Sequence, residues 1–521
     1  MVILFLALFA TTSLPAAETS KRGGTLRLAR LSDPTTLDPL RVSMAEDFCL
    51  MPFLHQTLLD VADLTNVVPS TAREWSVSPD KKIYTIRLRP GVKFSNGRDV
   101  VAADYIFTLE RCLNPASGSF LITYLQGIHG AEDFGKGRTN HVAGLASPTA
   151  DTLTIELDLP DPTFHYLLCS SAGVAIPAEE VVRLGAKLSL QPVGTGPYVV
   201  REWKRGARLR LARNPHYHGI EPQHLDGVEV LIGGDETTHL MMFERGELDV
   251  VKNIPFPSFR RLADNQSWHD RIEFLDRTTT LCLCLNTEVP PFTNILVRRG
   301  MNHAVNRDRW LRVAGRQASH AEGVTPKIIP GFDPSLRGYD YNPAKARQLL
   351  QESMMSLPLH STFWHPIDDS SRFIAQGVQA DLKAVGIEVE LKPVASAQMW
   401  DSAGIRGRVP FFLGGYGPLC PDPLETLREC FDQHAISSDQ TSNLGFYHNP
   451  EVHRLLGAAA TEVDVTRRYD LCRRAERIIV DDAPWVFMGF STSFSLRQKR
   501  LKGPLMDPSW DYRYDRVWIE E

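Results

Sequence analysis

Three aromatic side chains have the chemistry to hold a small molecule by stacking: Trp364, Trp400 and Tyr416. Their rings offer flat faces to a sugar ring or to another aromatic side chain. The alternative is packing in the core, which is the more common fate of any one such residue. The sequence by itself leaves both interpretations open.

A histidine and two acids, His365, Asp368 and Asp369, stand just before a helix that we predict to start at Ser370 or Ser371. The dipole and free N–H groups of a helix start favour an anionic group of a ligand. Asp368 and Asp369 are also good helix caps, and capping is the simpler role for them.

Two further acids, Glu46 and Asp47, fall in the loop from Val42 to Phe48, after a segment rich in turn-forming residues. Such carboxylates can meet a cationic group. More often, loop carboxylates are solvated surface charges, and that alternative stays open here.

Metal and catalytic chemistry has little support. His216 and His218 lie in a turn without Asp, Glu or Cys nearby, so we interpret them as surface histidines. The sequence has no HExxH, CxxC or GxSxG motif and no suitably spaced carboxylate pair. We therefore expect no catalytic residue, no metal and no cofactor, and a secreted hydrolase is only a remote alternative.

The elements that position these groups follow from hydrophobic periodicity. Apolar residues alternate over Ile83–Arg89, which predicts a strand, and recur at helical spacing over Tyr105–Leu113. Later, a helix from Ser370 that stops at Gly386 is followed by an alternating strand over Ile387–Leu391. Helix and strand alternation of this kind predicts an α/β fold.

One stretch, AREWSVSPDKKIYTIRLRPGVKFSNGRDVVAADYIFTLER at 72–111, resembles a known signature. It is similar to that of the family 5 extracellular solute-binding proteins, the dipeptide-, oligopeptide- and nickel-binding group that serves ABC importers. Val101 stands where the family usually has a threonine that caps the helix. The resemblance extends over the mature chain through the phrases GGTLRLA at 23–29, VGTGPY at 193–198, NPHYHG at 214–219 and VRRGMNHAVNR at 297–307.

The resemblance implies a periplasmic-binding-protein-like α/β fold, in which two lobes close on a central cleft and one extra domain is inserted. On this basis we expect a signal peptide at 1–17, followed by three domains. Domain I is discontinuous and forms the first lobe with an inserted domain II, whereas domain III forms the second lobe. The expected boundaries are 23–68, 194–284 and 484–521 for domain I, 69–193 for domain II and 285–483 for domain III.

By the same resemblance, Phe411–Pro423 matches the family's "gWxxDypDP" loop, which borders the cleft. Tyr416 takes the Trp place and Asp422 the place of the closing Asp. Leu419 takes the place of the Asp that holds the α-ammonium of a peptide in relatives.

The leucine at position 419 restricts the class of ligand, because burying an ammonium group against leucine without a carboxylate partner costs free energy. Either another acid serves, such as Glu46, Asp368 or Asp369, or the ligand has no free amino terminus there. We predict that Leu419→Asp strengthens binding of peptides with a free amine. The candidate cleft residues are Glu46, Asp47, Trp364, His365, Asp368, Asp369, Trp400, Tyr416, Leu419 and Asp422.

Composition and the amino terminus predict an exported protein. The chain has 521 residues, 43% of them hydrophobic and 23% charged, with a net charge of -5, so no nucleic-acid footprint is expected. The apolar run at 2–14, followed by Pro15-Ala16-Ala17, resembles a secretory signal. No cysteine precedes Cys49, so we expect a periplasmic protein that is not a lipoprotein.

Export would also permit disulfides among the eight cysteines, with Cys420 and Cys430 the first pair to test. Cys282 and Cys284 alternate in an apolar run and are predicted to be core thiols.

The expected function is capture of a solute, with a short peptide favoured, for delivery to an ABC permease of the inner membrane. We expect a monomer that binds no nucleic acid. A nickel chelate or an oligosaccharide is the alternative ligand, because Leu419 replaces the ammonium-binding Asp.

Overall fold

The computed structural model describes residues 23–42, 44–219, 223–252, 254, 256–263, 265–314, 318–437, 441–508 and 511–520. The expected signal peptide at 1–17 lies outside these residues. Within them, no helix is both long enough and apolar enough to cross a membrane.

The strands form two four-stranded sheets, a seven-stranded sheet and three small pairs. In chain order they are β1 (Thr25–Arg30), β2 (Leu59–Val61), β3 (Val67–Pro69), β4 (Ala72–Val77), β5 (Ile83–Leu88), β6 (Leu145–Thr149), β7 (Thr152–Glu156), β8 (Tyr198–Lys204), β9 (Arg208–Arg213), β10 (Gly227–Ile232), β11 (Val250–Val251), β12 (Ile272–Leu285), β13 (Ala318–Ser319), β14 (Leu359–Pro366), β15 (Ile387–Val394), β16 (Phe411–Tyr416), β17 (Trp485–Arg497), β18 (Leu501–Lys502), β19 (Met506–Asp507), β20 (Asp511–Tyr512) and β21 (Trp518–Ile519).

The α-helices range from single turns of four residues to one of 18 residues. They are α1 (Ala45–Phe48), α2 (Met51–Leu54), α3 (Ala102–Leu113), α4 (Ile122–Leu125), α5 (Ala131–Gly135), α6 (Phe164–Leu167), α7 (Ala178–Leu184), α8 (Glu236–Glu244), α9 (Phe256–Ala263), α10 (Ile295–Ala304), α11 (Arg307–Ala314), α12 (Pro343–Glu352), α13 (Asp369–Lys383), α14 (Ser396–Ala403), α15 (Pro423–Phe431), α16 (Pro450–Thr461) and α17 (Val465–Asp482).

The first lobe holds the two four-stranded sheets. One has the order β1-β10-β9-β8, with β1 parallel to β10 and the other neighbours antiparallel. Its core also takes in Val517 and Ile519, so the end of the chain packs back onto its beginning. The other sheet has the order β4-β5-β7-β6, and Tyr84, Ile86 and Leu88 of β5 are buried, as their alternation predicts.

Helix α3 packs on this second sheet and begins without a side-chain cap, as expected from the valine at its N-cap. The carboxylate of Asp104 accepts a hydrogen bond from the backbone N–H of Val101 at 2.9 Å. This bond is the half of a capping box that an acid at the third helical position can make alone.

The second lobe is built on the parallel strands β15, β14 and β16 and on the parts of β12 and β17 that pair beside them. The predicted strand after Gly386 is β15, and Gly386 has a φ of 95°, which suits glycine at the end of α13. Helix α12 is capped by Asn342, whose side chain accepts from the N–H of Lys345 at 3.0 Å.

Two long strands connect the lobes. β12 and β17 are antiparallel, and their ladder has a register shift between Asp276 and Thr280. On one side of this shift, Phe494 and Leu496 belong to a first-lobe core with Leu240 and Phe243. On the other side, the strands enter the cores of the second lobe. The break in the ladder therefore marks where the chain passes between the lobes.

The VGTGPY phrase lies against the segment that follows α2. The N–H of Gly196 donates to Leu54 O at 2.9 Å, and Thr195 Oγ1 accepts from the N–H of Gln56 at 3.0 Å. A Cβ on Gly194 would come within 2.1 Å of Leu54 O. The glycines are thus required because two backbones touch here.

All eight cysteines are buried, free thiols, including Cys420 and Cys430. Cys282 and Cys284 are core residues as predicted, with 0% and 1% of their surface exposed.

Candidate functional site

The candidate site lies at the carboxyl-terminal edge of the parallel strands of the second lobe. Strands β14, β15 and β16 all end at this edge, and α13, α14 and α15 follow them within a few residues. In open α/β sheets, ligands bind in the crevice outside the carboxyl ends of such strands.

This edge faces the first lobe. The side chain of Leu419, in the loop after β16, packs against the apolar core around α3. The hydroxyl of Tyr124, on α4 of the first lobe, hydrogen-bonds to Glu429 on α15. The edge therefore contacts the first lobe at these two points.

A partly open cavity of about 230 Å³ opens beside the ends of β14 and β16. Its walls come from β12, β14, β16, β17, α11, α13 and α14. The lining residues are Leu281, Trp310, Pro366, Ser371, Ile374, Met399, Trp400, Leu413, Gly414, Gly415 and Met488. We call it the apolar pocket.

The three predicted stacking residues have different surroundings. Trp400 lines the apolar pocket, and its ring meets that of Tyr416 edge-on at 5.3 Å. Tyr416 stacks on Trp485 at 4.8 Å, and burial holds the pKa of its phenol well above the usual range. Trp364 is buried in β14, with the Lys392 ammonium 3.8 Å from the centre of its ring. Of these three residues, only Trp400 lines the apolar pocket.

The segment His365–Asp369 connects β14 to α13. His365 is buried, and its Nδ1 is 2.7 Å from Pro366 O. Asp368 is exposed and caps α13, since its Oδ1 accepts from the N–H of Ser371 at 2.9 Å. The side chain of Asp369 is outside the described part of the structure. Capping, the simpler of the two predicted roles, thus occupies one oxygen of Asp368.

Asp368 also lies close to two acids of the first lobe. The pKa of Glu236 is raised first by burial and then by Asp368 and Glu46. Glu46 forms an ion pair with Lys252 at 3.7 Å, and Lys252 Nζ lies 5.5 Å from the ring centre of Tyr512. Acids from both lobes, Asp368 of the second and Glu236 and Glu46 of the first, thus lie near one another, and Lys252 pairs with one of them.

Asp47 and Asp422 are committed to internal contacts. Asp47 is fully buried, 2.5 Å from the guanidinium of Arg30, and accepts from the N–H of Thr35 at 3.0 Å. Asp422 caps α15 and pairs with Arg468 at 2.9 Å, with both side chains buried. A direct ligand contact from either residue stays a prediction, and it would have to share these bonds.

Leu419 presents its apolar side chain where the family resemblance places an Asp. Its backbone N–H donates to Glu425 Oε1 at 2.6 Å, and the N–H of Cys420 donates to Glu425 Oε2 at 2.8 Å. A carboxylate therefore lies beside position 419, but it comes from one turn into α15.

Glu425 and Glu429 form an acidic pair that the sequence interpretation missed. Burial, and then repulsion from Glu429, raises the pKa of Glu425 to about 8. Burial also raises the pKa of Glu429. Their spacing of four residues on one helix was a visible signal for a pair. By contrast, Trp310 and Met488 of the pocket carry no local signal, because the fold brings them in from distant segments.

The chain belongs to the bacterial extracellular solute-binding proteins of family 5, whose middle-region model matches residues 66–438. It is 26% identical over 517 residues to the probable D,D-dipeptide-binding periplasmic protein DdpA of Escherichia coli K12, covering 96% of this chain and 95% of the relative. It is 25% identical over 499 residues to the glutathione-binding protein GsiB of Pectobacterium atrosepticum, covering 94% and 92%.

Its fold is that of the periplasmic binding proteins. The structure of DppA from Helicobacter pylori, an ABC transporter-associated periplasmic binding protein in complex with the peptide STSA, overlays with a TM-score of 0.83. The sequence identity is 24%, and the match covers 97% of this chain and 99% of the other.

Proposed function

We propose that this protein captures a short peptide between its two lobes and delivers it to an ABC permease of the inner membrane. The observation that carries the proposal is the apolar pocket at the carboxyl ends of β14 and β16, on the edge that faces the first lobe. Family membership and the ligands for which the relatives are named, a D,D-dipeptide and glutathione, support a peptide as the ligand, as does the peptide STSA bound in the DppA structure.

Capture works by a shift between open and closed lobes. Only β12 and β17 run between the lobes as continuous strands among the described residues, and the register shift near Asp276 weakens their ladder there. A ligand that contacts both lobes favours the closed state in proportion to its extra contacts in that state. The permease then has a closed form to recognise.

The domain division that fits this mechanism is the predicted one: domain I at 23–68, 194–284 and 484–521, domain II at 69–193 and domain III at 285–483. We further propose that the protein is exported to the periplasm and acts there as a monomer. The relatives with periplasmic names support this location.

The proposed role is binding without covalent change. A hydrolase is the competing class, and incubation with a peptide pool separates the two, because a binding protein returns the peptides intact. A nickel chelate or an oligosaccharide is the competing ligand class, since Leu419 stands where relatives place the ammonium-binding Asp.

Native mass spectrometry of the protein as purified tests the ligand class directly. We expect a mass increment that matches a short peptide. After the bound peptide is removed, calorimetry should show that a synthetic peptide of the same sequence binds to the protein. A sugar or metal chelate in place of the peptide, or steady hydrolysis of added peptides, would contradict the proposal.

The variant Trp400→Ala should weaken peptide binding, because Trp400 lines the pocket. Trp268→Ala is the matched control: Trp268 contacts Phe243 and Arg271 of the first lobe and lies away from the pocket.

A further inference from the structure

We infer that the apolar pocket selects peptides that carry a bulky apolar or aromatic side chain. The inference rests on the proposed function and adds the chemical class of the side chain that enters the second lobe.

The lining of the pocket is the first observation. None of its described lining residues is charged, and most are aromatic, aliphatic or thioether side chains. Trp310, Ile374 and Leu281 remain partly exposed although they are apolar. An apolar group placed against them removes this surface from water, which favours binding.

The size of the pocket is the second observation. Its volume of about 230 Å³ exceeds the roughly 150 Å³ of an apolar protein cavity that holds a benzene molecule. The ring of a phenylalanine or the branch of a leucine therefore fits inside.

Two glycines of β16 set the shape of the pocket. A Cβ on Gly415 would come within 3.1 Å of Leu281 Cδ2, and a Cβ on Gly414 within 3.5 Å of the Trp400 ring. Without a side chain at position 415, Leu281 approaches the strand closely, whereas the Trp400 ring lies at an ordinary contact distance from position 414. Both Leu281 and Trp400 line the cavity. The pocket is thus a feature of the local sequence Leu413–Tyr416 and of its neighbours.

The charges nearby lie outside the pocket. Asp368 and Glu425 belong to the same edge of the sheet but do not line the cavity. A charged side chain that entered would lose its hydration without gaining a partner, which disfavours such ligands. Selection against charge therefore accompanies selection for apolar bulk.

The test uses tripeptides that carry one variable residue in an alanine background, with Phe, Leu, Ala, Asp or Lys placed at each position in turn. Calorimetry should show that Phe or Leu at one position binds about 10- to 100-fold more tightly than Asp there. Equal affinities across the panel would overturn the inference and leave the proposed function standing. Failure of every peptide to bind would overturn the proposed function itself.

Two pocket variants, each with a control, test whether the apolar pocket causes the preference for Phe. Ile374→Trp fills the pocket from α13 and should remove this preference, whereas its control Ile374→Val leaves the cavity open and should keep it. Trp400→Ala removes one wall and should also reduce the preference, with Trp268→Ala as the control. Circular dichroism checks that each variant is folded. An undiminished preference for Phe in both folded pocket variants would place the selecting surface elsewhere and overturn the inference.

Discussion

The carboxylate of Glu425 lies beside the backbone of Leu419, whose N–H donates to it at 2.6 Å. Residue 419 thus supplies an apolar side chain to the first lobe and a backbone donor to α15. The family resemblance predicts an ammonium-binding Asp at position 419, whereas the carboxylate beside this position in the structure, that of Glu425, already accepts from two backbone N–H groups.

This arrangement predicts pH-dependent closure. In this structure, where Tyr124 of the first lobe hydrogen-bonds to Glu429, burial raises the pKa of Glu425 to about 8 from its ordinary value of 4.5 and raises the pKa of Glu429 as well. We take this arrangement, with the lobes in contact, as the closed form, which then holds protons that a solvated pair of carboxylates releases. The stability of the closed form relative to the open form is therefore greatest below about pH 4.5 and declines as the pH rises toward 8.

Calorimetry from pH 5 to pH 8 should then show ligand affinity falling by about tenfold or more. Glu425→Gln should flatten this dependence, because it keeps an acceptor and removes the charge. Glu132→Gln is the matched control, since Glu132 is exposed and paired with Lys136. An equally steep dependence in the Glu425→Gln variant would contradict this account.

The departure at Leu419 gives a second prediction. Leu419→Asp should raise the affinity for a free-amine peptide relative to its N-acetylated copy, because only the free amine can pair with the new carboxylate. The ratio of the two dissociation constants is the measurement, since loss of apolar packing affects both peptides alike. Leu419→Asn is the uncharged control. An unchanged ratio would mean that the amino terminus of the peptide binds elsewhere.

The buried pair between Asp422 and Arg468 predicts a large cost to stability. Asp422→Ala leaves the Arg468 guanidinium buried without its partner and uncaps α15, so we expect a loss of about 3–5 kcal/mol in the free energy of unfolding. Thermal unfolding followed by circular dichroism checks this. Glu451→Ala breaks the exposed pair with Arg454, which water and salt screen, and should lower the free energy of unfolding far less. Similar losses in the two variants would contradict the assignment of Asp422 to stability.

The contact between Gly194 and Leu54 gives a fourth prediction. A Cβ at position 194 would lie 2.1 Å from Leu54 O, so Gly194→Ala must shift one backbone or the other. We expect a loss of about 3 kcal/mol or more in stability. Gly457→Ala, at an exposed site of α16 with open space around it, should instead stabilise by up to about 1 kcal/mol. Melting temperatures that move in the same direction would show that the close approach is unimportant.

Much of the fold could be predicted from local pattern. The alternation in β5 and the stop at Gly386 each depend on residues within one element, and the structure confirms them. The lack of a side-chain cap at the start of α3 could likewise be predicted, because valine at position 101 has no hydrogen-bonding side chain. The three-domain division, although it fits the sheets, stays a prediction at the level of its boundaries.

Less of the candidate site than of the fold could be predicted from the sequence. The sequence predicted site residues in His365–Asp369 and, by the family resemblance, in Phe411–Pro423; the structure places both segments at the ends of β14 and β16, and their contact with a ligand stays a prediction. The sequence could not tell that Asp47 faces Arg30 or that Asp422 faces Arg468, because pairing depends on which distant side chains share a buried volume. For the same reason it missed Trp310 and Met488, which reach the apolar pocket from separate elements.

The amino-acid sequence by itself thus determined many of the elements and the family, since these depend on periodicity and on contiguous motifs. Only the tertiary structure decided which charged groups are already paired, which aromatic ring faces a cavity and how Glu425 lies against Leu419. Burial and pairing are properties of the space between segments, and local residue order does not specify that space.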